Sequence, residues 1–138
     1  MLAASLMGAT ACQKGLGGVH ALAQPIGAVF DTHHGLANAI LLPYVLVRNR
    51  EAIAERLGAA ARYIGLADSS FDGFLNWVLD LRTALNIPHT LAEIGIPLDQ
   101  ADAIGVMAKS DPSDGGNPVQ LTAMDYADIY RAAVAGTV

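Results

Sequence analysis

The chain has 138 residues, a formal net charge of −5 and a single cysteine, with 53% hydrophobic and only 15% charged residues. This balance argues against a nucleic-acid partner, since no basic stripe is available to neutralise phosphates, and it rules out an intrachain disulfide, so a reducing, cytoplasmic setting is expected. A mean hydropathy of +0.38 points to surface meant to be covered by another domain or a second copy, while the longest apolar run, broken at Pro43, falls short of the ~20 residues of a membrane span.

A length of this order is expected to form one domain over residues 1–138. The opening is Ala-rich with Leu2, Leu6 and Met7 at helical spacing, which predicts a first helix through Lys14. The segment lacks the positive n-region of a leader peptide, and its Cys12 reads as a small core residue. Gly15, Gly17 and Gly18 follow, and the last two predict close packing of the backbone.

The next helix, about Val19–Phe30, is apolar all round except for His20 and Gln24. These two stand four apart and share a face if one helix carries both. Pro25 either bends that helix or marks its start, and in the second case the pair would be separated. Asp31 or Thr32 is expected to cap a further buried helix, His33–Leu42, which Pro43 kinks or interrupts. His34 then falls in its first turn, where the helix dipole disfavours imidazolium and keeps a lone pair available, while His33 is expected to face solvent.

From Arg48 the pattern changes to an ordinary surface helix, with Ile53, Leu57, Ala60 and Ile64 set among charges and closed by Gly65. Ser69 or Ser70 is expected to cap a helix bearing Phe74, Trp77, Val78, Leu81 and Leu85 on one face. It stops at Pro88-His89, and His89 reads as a solvated loop residue. Thr90 and Glu93 have capping-box spacing. Pro97 opens a helix through Lys109, Ser110–Pro118 is a loop by composition, and Thr122 with Asp125 starts a last helix that ends at Gly136. No segment alternates like a strand, so the chain is all-α, a helical bundle with no phosphate-binding loop of its own.

Three of the four histidines lie between Gly17 and Pro43, the most apolar stretch of the chain. Buried nitrogen donors need partners, and a metal ion is the partner this cluster suggests. His20 and His34 supply two neutral imidazoles, which is half a site.

The stretch GLGGVHALAQPIGAVFDTHHGLANAILLPYVLVRN, with a His after Gly-x-Val and a second His before Gly-Leu-Ala-Asn-Ala-Ile-Leu-Leu-Pro, resembles the signature region of the iron-containing (group III) alcohol dehydrogenases. The segment DGGNPVQLTAMDYADIYRAA resembles the closing part of the same family, which is related in fold to dehydroquinate synthase. The resemblance implies the helical C-terminal domain of a two-domain enzyme. In such an enzyme an N-terminal nucleotide-binding domain holds NAD(P), and Fe²⁺, sometimes Zn²⁺, is held by one Asp and three His.

His20 and His34 match the last two of those ligands. The Asp, the first His and the cofactor loop would lie upstream of Met1. Gln24 occupies a pocket position that is usually His in the family, and unlike His it moves no proton near pH 7. The Phe that often lies close to Ala11 and Cys12 is missing, and Asn117-Pro118 is followed by Val119 where Arg is common.

The expected function is the metal-binding portion of an NAD(P)-dependent alcohol or aldehyde oxidoreductase, inactive alone. It would act on a small alcohol or aldehyde together with a separate N-terminal domain chain, or as a homo-oligomer. The alternative is a non-catalytic helical module, from a truncated or split gene, that self-associates through its apolar surface.

Overall fold

The structure, a computed structural model, describes residues 2–138. Helices α1 (Leu2–Cys12), α2 (Gly18–Phe30), α3 (His34–Arg48), α4 (Arg50–Tyr63), α5 (Phe71–Ala84), α6 (Ala101–Ser110) and α7 (Ala123–Ala135) follow in order, with short 3₁₀ turns at Ala92–Ile94, Leu98–Gln100 and Pro112–Gly116. No strand occurs among the described residues. The all-α expectation therefore holds.

The core lies between α2, α3, α6 and α7, and it is built as much from small residues as from large ones. Leu22, Ile26, Ile40, Leu41, Ile104, Tyr126 and Tyr130 are buried together with Ala21, Ala23, Ala37, Ala108, Ala127 and Ala133. The alanines let helices approach closely. Helices α6 and α7 press close at Gly105, where a Cβ would stand 2.4 Å from the backbone oxygen of Ala123 at the start of α7. A smaller cluster of Ile53, Phe71 and Leu75 joins α4 to α5. The buried tyrosines find acceptors: Tyr126 donates to Asp114 at 2.8 Å, Tyr130 to the carbonyl of Pro97 at 2.6 Å and Tyr44 to that of His89 at 2.7 Å.

The helix ends follow local chemistry. Thr122 and Asp125 form a complete capping box, and Gly136 closes α7 in the left-handed conformation. Thr90 and Glu93 bond each other in the same manner. Ser70 caps α5 by accepting from the N–H of Gly73 at 3.0 Å.

Several expectations need correction. Of the two outcomes expected at Pro43, interruption does not occur, since α3 runs on to Arg48; Pro25 takes the first of its two alternatives and sits well inside α2. Both prolines are buried, and packing of their rings outweighs the intrahelical bond each one removes. The cap of α3 is neither Asp31 nor Thr32. Asp31, at φ 51°, instead ends α2 in the left-handed region, and the exposed His33 caps α3 by accepting from the N–H of Leu36 through Nδ1 at 3.3 Å.

Cys12 is exposed rather than in the core, because no residue of α1 is buried. On α5 the buried face is Phe71, Leu75, Val78 and Arg82, and Trp77, Leu81 and Leu85 are exposed. His89 is exposed in a loop, as expected, and is also held. Its Nδ1 accepts from Arg82 Nη2 at 3.0 Å, since guanidinium only donates, which leaves Nε2–H for Thr83 Oγ1 at 3.2 Å.

Candidate metal centre

His20 and His34 meet because two helices begin at the same place. His20 is the third residue of α2 and His34 the first of α3, so each ring stands at the positive end of a helix dipole. The ring centroids are 5.4 Å apart, with planes tilted by 51°. Pro25 lies inside α2, so His20 and Gln24 do ride on one helix.

Asn38, one turn along α3 from His34, places Nδ2 3.5 Å from His20 Nε2. Its Oδ1 is buried with no hydrogen-bond partner. Burial holds the His20 imidazole below the usual histidine range, the neighbouring His34 pushes the same way, and Asp111 opposes both. The neutral, lone-pair-bearing form of His20 is therefore the favoured one.

Beside the pair opens a largely apolar cleft of about 660 Å³, bordered by Cys12, Gly18, His20, Asn38, Leu42 and Asn117 among others. Neither Gln24 nor His34 is part of its wall. Gln24 is exposed, and its side chain makes no hydrogen bond to any described residue. Among the described residues no third His, Cys, Asp or Glu joins the histidine pair. The donor set suits a borderline divalent ion, with two imidazoles of which one is pushed toward neutrality, and an unpartnered amide oxygen is at hand to accept from a water on such an ion. It supplies two ligands and no more.

Sequence reasoning found both histidines. It gave no site role to Asn38 or Asn117, although Asn38 carried a usable signal in its one-turn spacing from His34. The Asn117-Pro118 pair marked Asn117 as a family position but not its contacts, since Gly18 and Asn49 lie far away in the chain.

The all-helical arrangement that sets this histidine pair beside an apolar cleft recurs in solved alcohol dehydrogenases. The chain superposes on 1,3-propanediol oxidoreductase with a TM-score of 0.81 at 30% identity, covering 86% of this chain and 32% of that one. It superposes on the alcohol dehydrogenase from Oenococcus oeni with a TM-score of 0.78 at 30% identity, over 86% and 32% of the two chains.

Residues 1–134 match the Fe-containing alcohol dehydrogenase family, C-terminal, and the chain belongs to that family. It is 36% identical over 125 residues to lactaldehyde reductase of Escherichia coli, covering 86% of this chain and 33% of that protein. It is 37% identical over 130 residues to the NADPH-dependent butanol dehydrogenase of Clostridium saccharobutylicum, covering 88% and 34%. The chain thus spans about a third of the length of these relatives. Among the described residues no helix is long and apolar enough to cross a membrane.

Proposed function

We propose that this chain is the metal-holding helical portion, one domain over residues 1–138, of a cytoplasmic oxidoreductase that interconverts a small alcohol and its aldehyde with NAD(P). Supporting this is one observation above others: two imidazoles from separate helix N-termini brought ring to ring at 5.4 Å beside an apolar cleft. His20 and His34 are the protein ligands here for Fe²⁺ or Zn²⁺. When bound, such an ion supplies Lewis acidity that lowers the pKa of an alcohol and polarises a carbonyl.

The chain's own residues do the rest. Burial and the adjacent His34 hold His20 ready to donate its lone pair, the apolar walls of the cleft exclude water from a short carbon chain, and Asn38 Oδ1 offers an acceptor. Gln24, exposed one turn from His20 and outside the cleft wall, carries an amide that does not relay a proton near pH 7.

Two ligands are fewer than the three or four usual for zinc or iron, and among the described residues nothing forms a dinucleotide loop. The remaining ligands and the NAD(P) site belong to an N-terminal domain, whether on the same polypeptide or on a separate chain, and this chain alone is inactive. A second reading, a non-catalytic module that self-associates, draws on the exposed Leu2, Leu6, Met7, Trp77 and Leu85.

Elemental analysis of the purified chain tests the metal assignment. Iron or zinc is expected in the wild type and is lost in a His20→Ala/His34→Ala variant. Metal retained undiminished in His34→Ala would overturn it.

A further inference from the structure

The reading above makes no use of the turn Pro112–Gly116 and the Asn117 that follows it, yet this loop is pressed against the residues that lead into α2. A Cβ on Gly116 would lie 1.9 Å from the carbonyl oxygen of Leu16. One on Gly18 would lie 3.0 Å from Asn117 Oδ1 and 3.3 Å from a methyl of Val45. Close approach requires glycine at 116 and favours it at 18, since neither residue has a positive φ. Gly18 is the first residue of α2 and is buried.

Helix α2 has no side-chain cap of its own, because its N-cap is Gly17. The N–H of Gly18 is one of the donors a helix start leaves without an intrahelical partner. Asn117 provides the acceptor from 99 residues away, through Oδ1 at 3.1 Å. The same oxygen accepts from Asn49 Nδ2 at 2.9 Å, while Asn117 Nδ2 donates to Asn49 Oδ1 at 2.9 Å and to the carbonyl of Val119 at 2.7 Å. Both lone pairs and both N–H groups of the amide are used. Asn117 borders the cleft but has no bonding capacity left for a ligand there. Asn49, 4% exposed, sits at the junction of α3 and α4, so the amide pair ties that junction to the start of α2.

We propose that Asn117 is a positioning residue for His20: by capping Gly18 it fixes the first turn of α2 and thereby holds the His20 ring against His34. Its functional meaning rests on the assignment of His20 as a metal ligand; its geometric content does not. A Ser, Thr or Asp at the N-cap would accept from the second or third N–H of the helix; Gly17 offers no side chain at that position, and Asn117 reaches the first N–H, that of Gly18, from outside the helix.

The test compares the wild-type chain with Asn117→Leu, Asn117→Asp and Asn49→Ala. Leucine has similar volume and no acceptor. Aspartate restores the acceptor for Gly18 but not the two donors, and Asn49→Ala breaks the amide pair while leaving Asn117 free to cap. Two quantities are read: the nuclear Overhauser contact between the His20 and His34 rings in the metal-free protein, and the Kd for Co²⁺.

Asn117→Leu is expected to lose the ring contact and to weaken Co²⁺ binding about tenfold, the lower end of what loss of an outer-shell partner does to a metal site. Asn117→Asp recovers the contact, and Asn49→Ala keeps it even though its melting temperature falls. Asn117→Ala serves in place of the leucine variant should that one not fold. A folded acceptor-less variant that keeps the ring contact overturns the proposal, as does an equal loss in Asn49→Ala, which would mean general loosening. If the wild type binds no Co²⁺, the metal assignment falls, and the ring contact by itself decides the role of Asn117.

Discussion

At the scale of the residue, the candidate site is a matter of two rings and what surrounds them. His20 is depressed chiefly by burial, so the folded state binds its proton less readily than the unfolded state does. The unfolded chain then takes up more protons as pH falls below ~6.5, and the folded state loses stability through that window and further down to the folded pKa of His20. The contribution is fully present above ~6.5.

A comparison of chemical denaturation at pH 7.5 and pH 5.5 checks this. Wild type is expected to lose more stability between the two than His20→Gln, which removes the titrating group and keeps a polar side chain. Equal losses would place the His20 ring in water. Arg82 shows the limit of residue-level reading from sequence. A lone Arg in an amphipathic pattern reads as surface, yet this one is 4% exposed. Its guanidinium donates to the carbonyl of Ile40 at 2.9 Å and to His89, and neither partner is predictable from its neighbours in the chain.

At the scale of the element, local rules did well at most caps, although not at Asp31 and Thr32, where His33 caps α3 instead. Thr122 with Asp125, Ser70 and Gly136 all do what their chemistry suggests. They left the outcome open at proline, because the cost of one missing N–H is local while the gain from a buried ring is tertiary. Pro25 and Pro43 both stay inside helices for that reason. The crossing of α6 and α7 is likewise a tertiary demand on a single position. Gly105→Ala would place a methyl 2.4 Å from the Ala123 carbonyl oxygen, a backbone atom that cannot swing aside. Overpacking of this kind costs about 1–3 kcal/mol, although alanine has the better helix propensity. Urea denaturation is expected to show that loss; a stabilised Gly105→Ala protein would mean the two helices can separate freely.

At the scale of the whole molecule, the core is one-sided. Helices α2, α3, α6 and α7 enclose it, while α1 buries nothing and α5 turns Trp77, Leu81 and Leu85 outward. The high mean hydropathy resides partly on these surfaces. Replacing Leu6 and Met7, 69% and 72% exposed, by serine is therefore expected to leave the melting temperature within about 2 °C, as for other substitutions away from the core. The same double variant should lower self-association in sedimentation velocity. A large fall in melting temperature would show that α1 packs on the domain in solution.

What the sequence determined by itself was everything that depends on short spacing: the all-helical class, most helix ends, the pairing of His20 and His34 as ligand candidates, and the family. These follow from capping chemistry, periodicity and a motif, each legible within a few turns of chain. The tertiary structure decided which apolar faces are covered, that both internal prolines are tolerated, that Arg82 is buried, and that the start of α2 is capped by an amide 99 residues away. Those outcomes depend on free energy gained between distant segments, where packing and hydrogen-bond satisfaction outweigh local preference, and no window of sequence contains both partners.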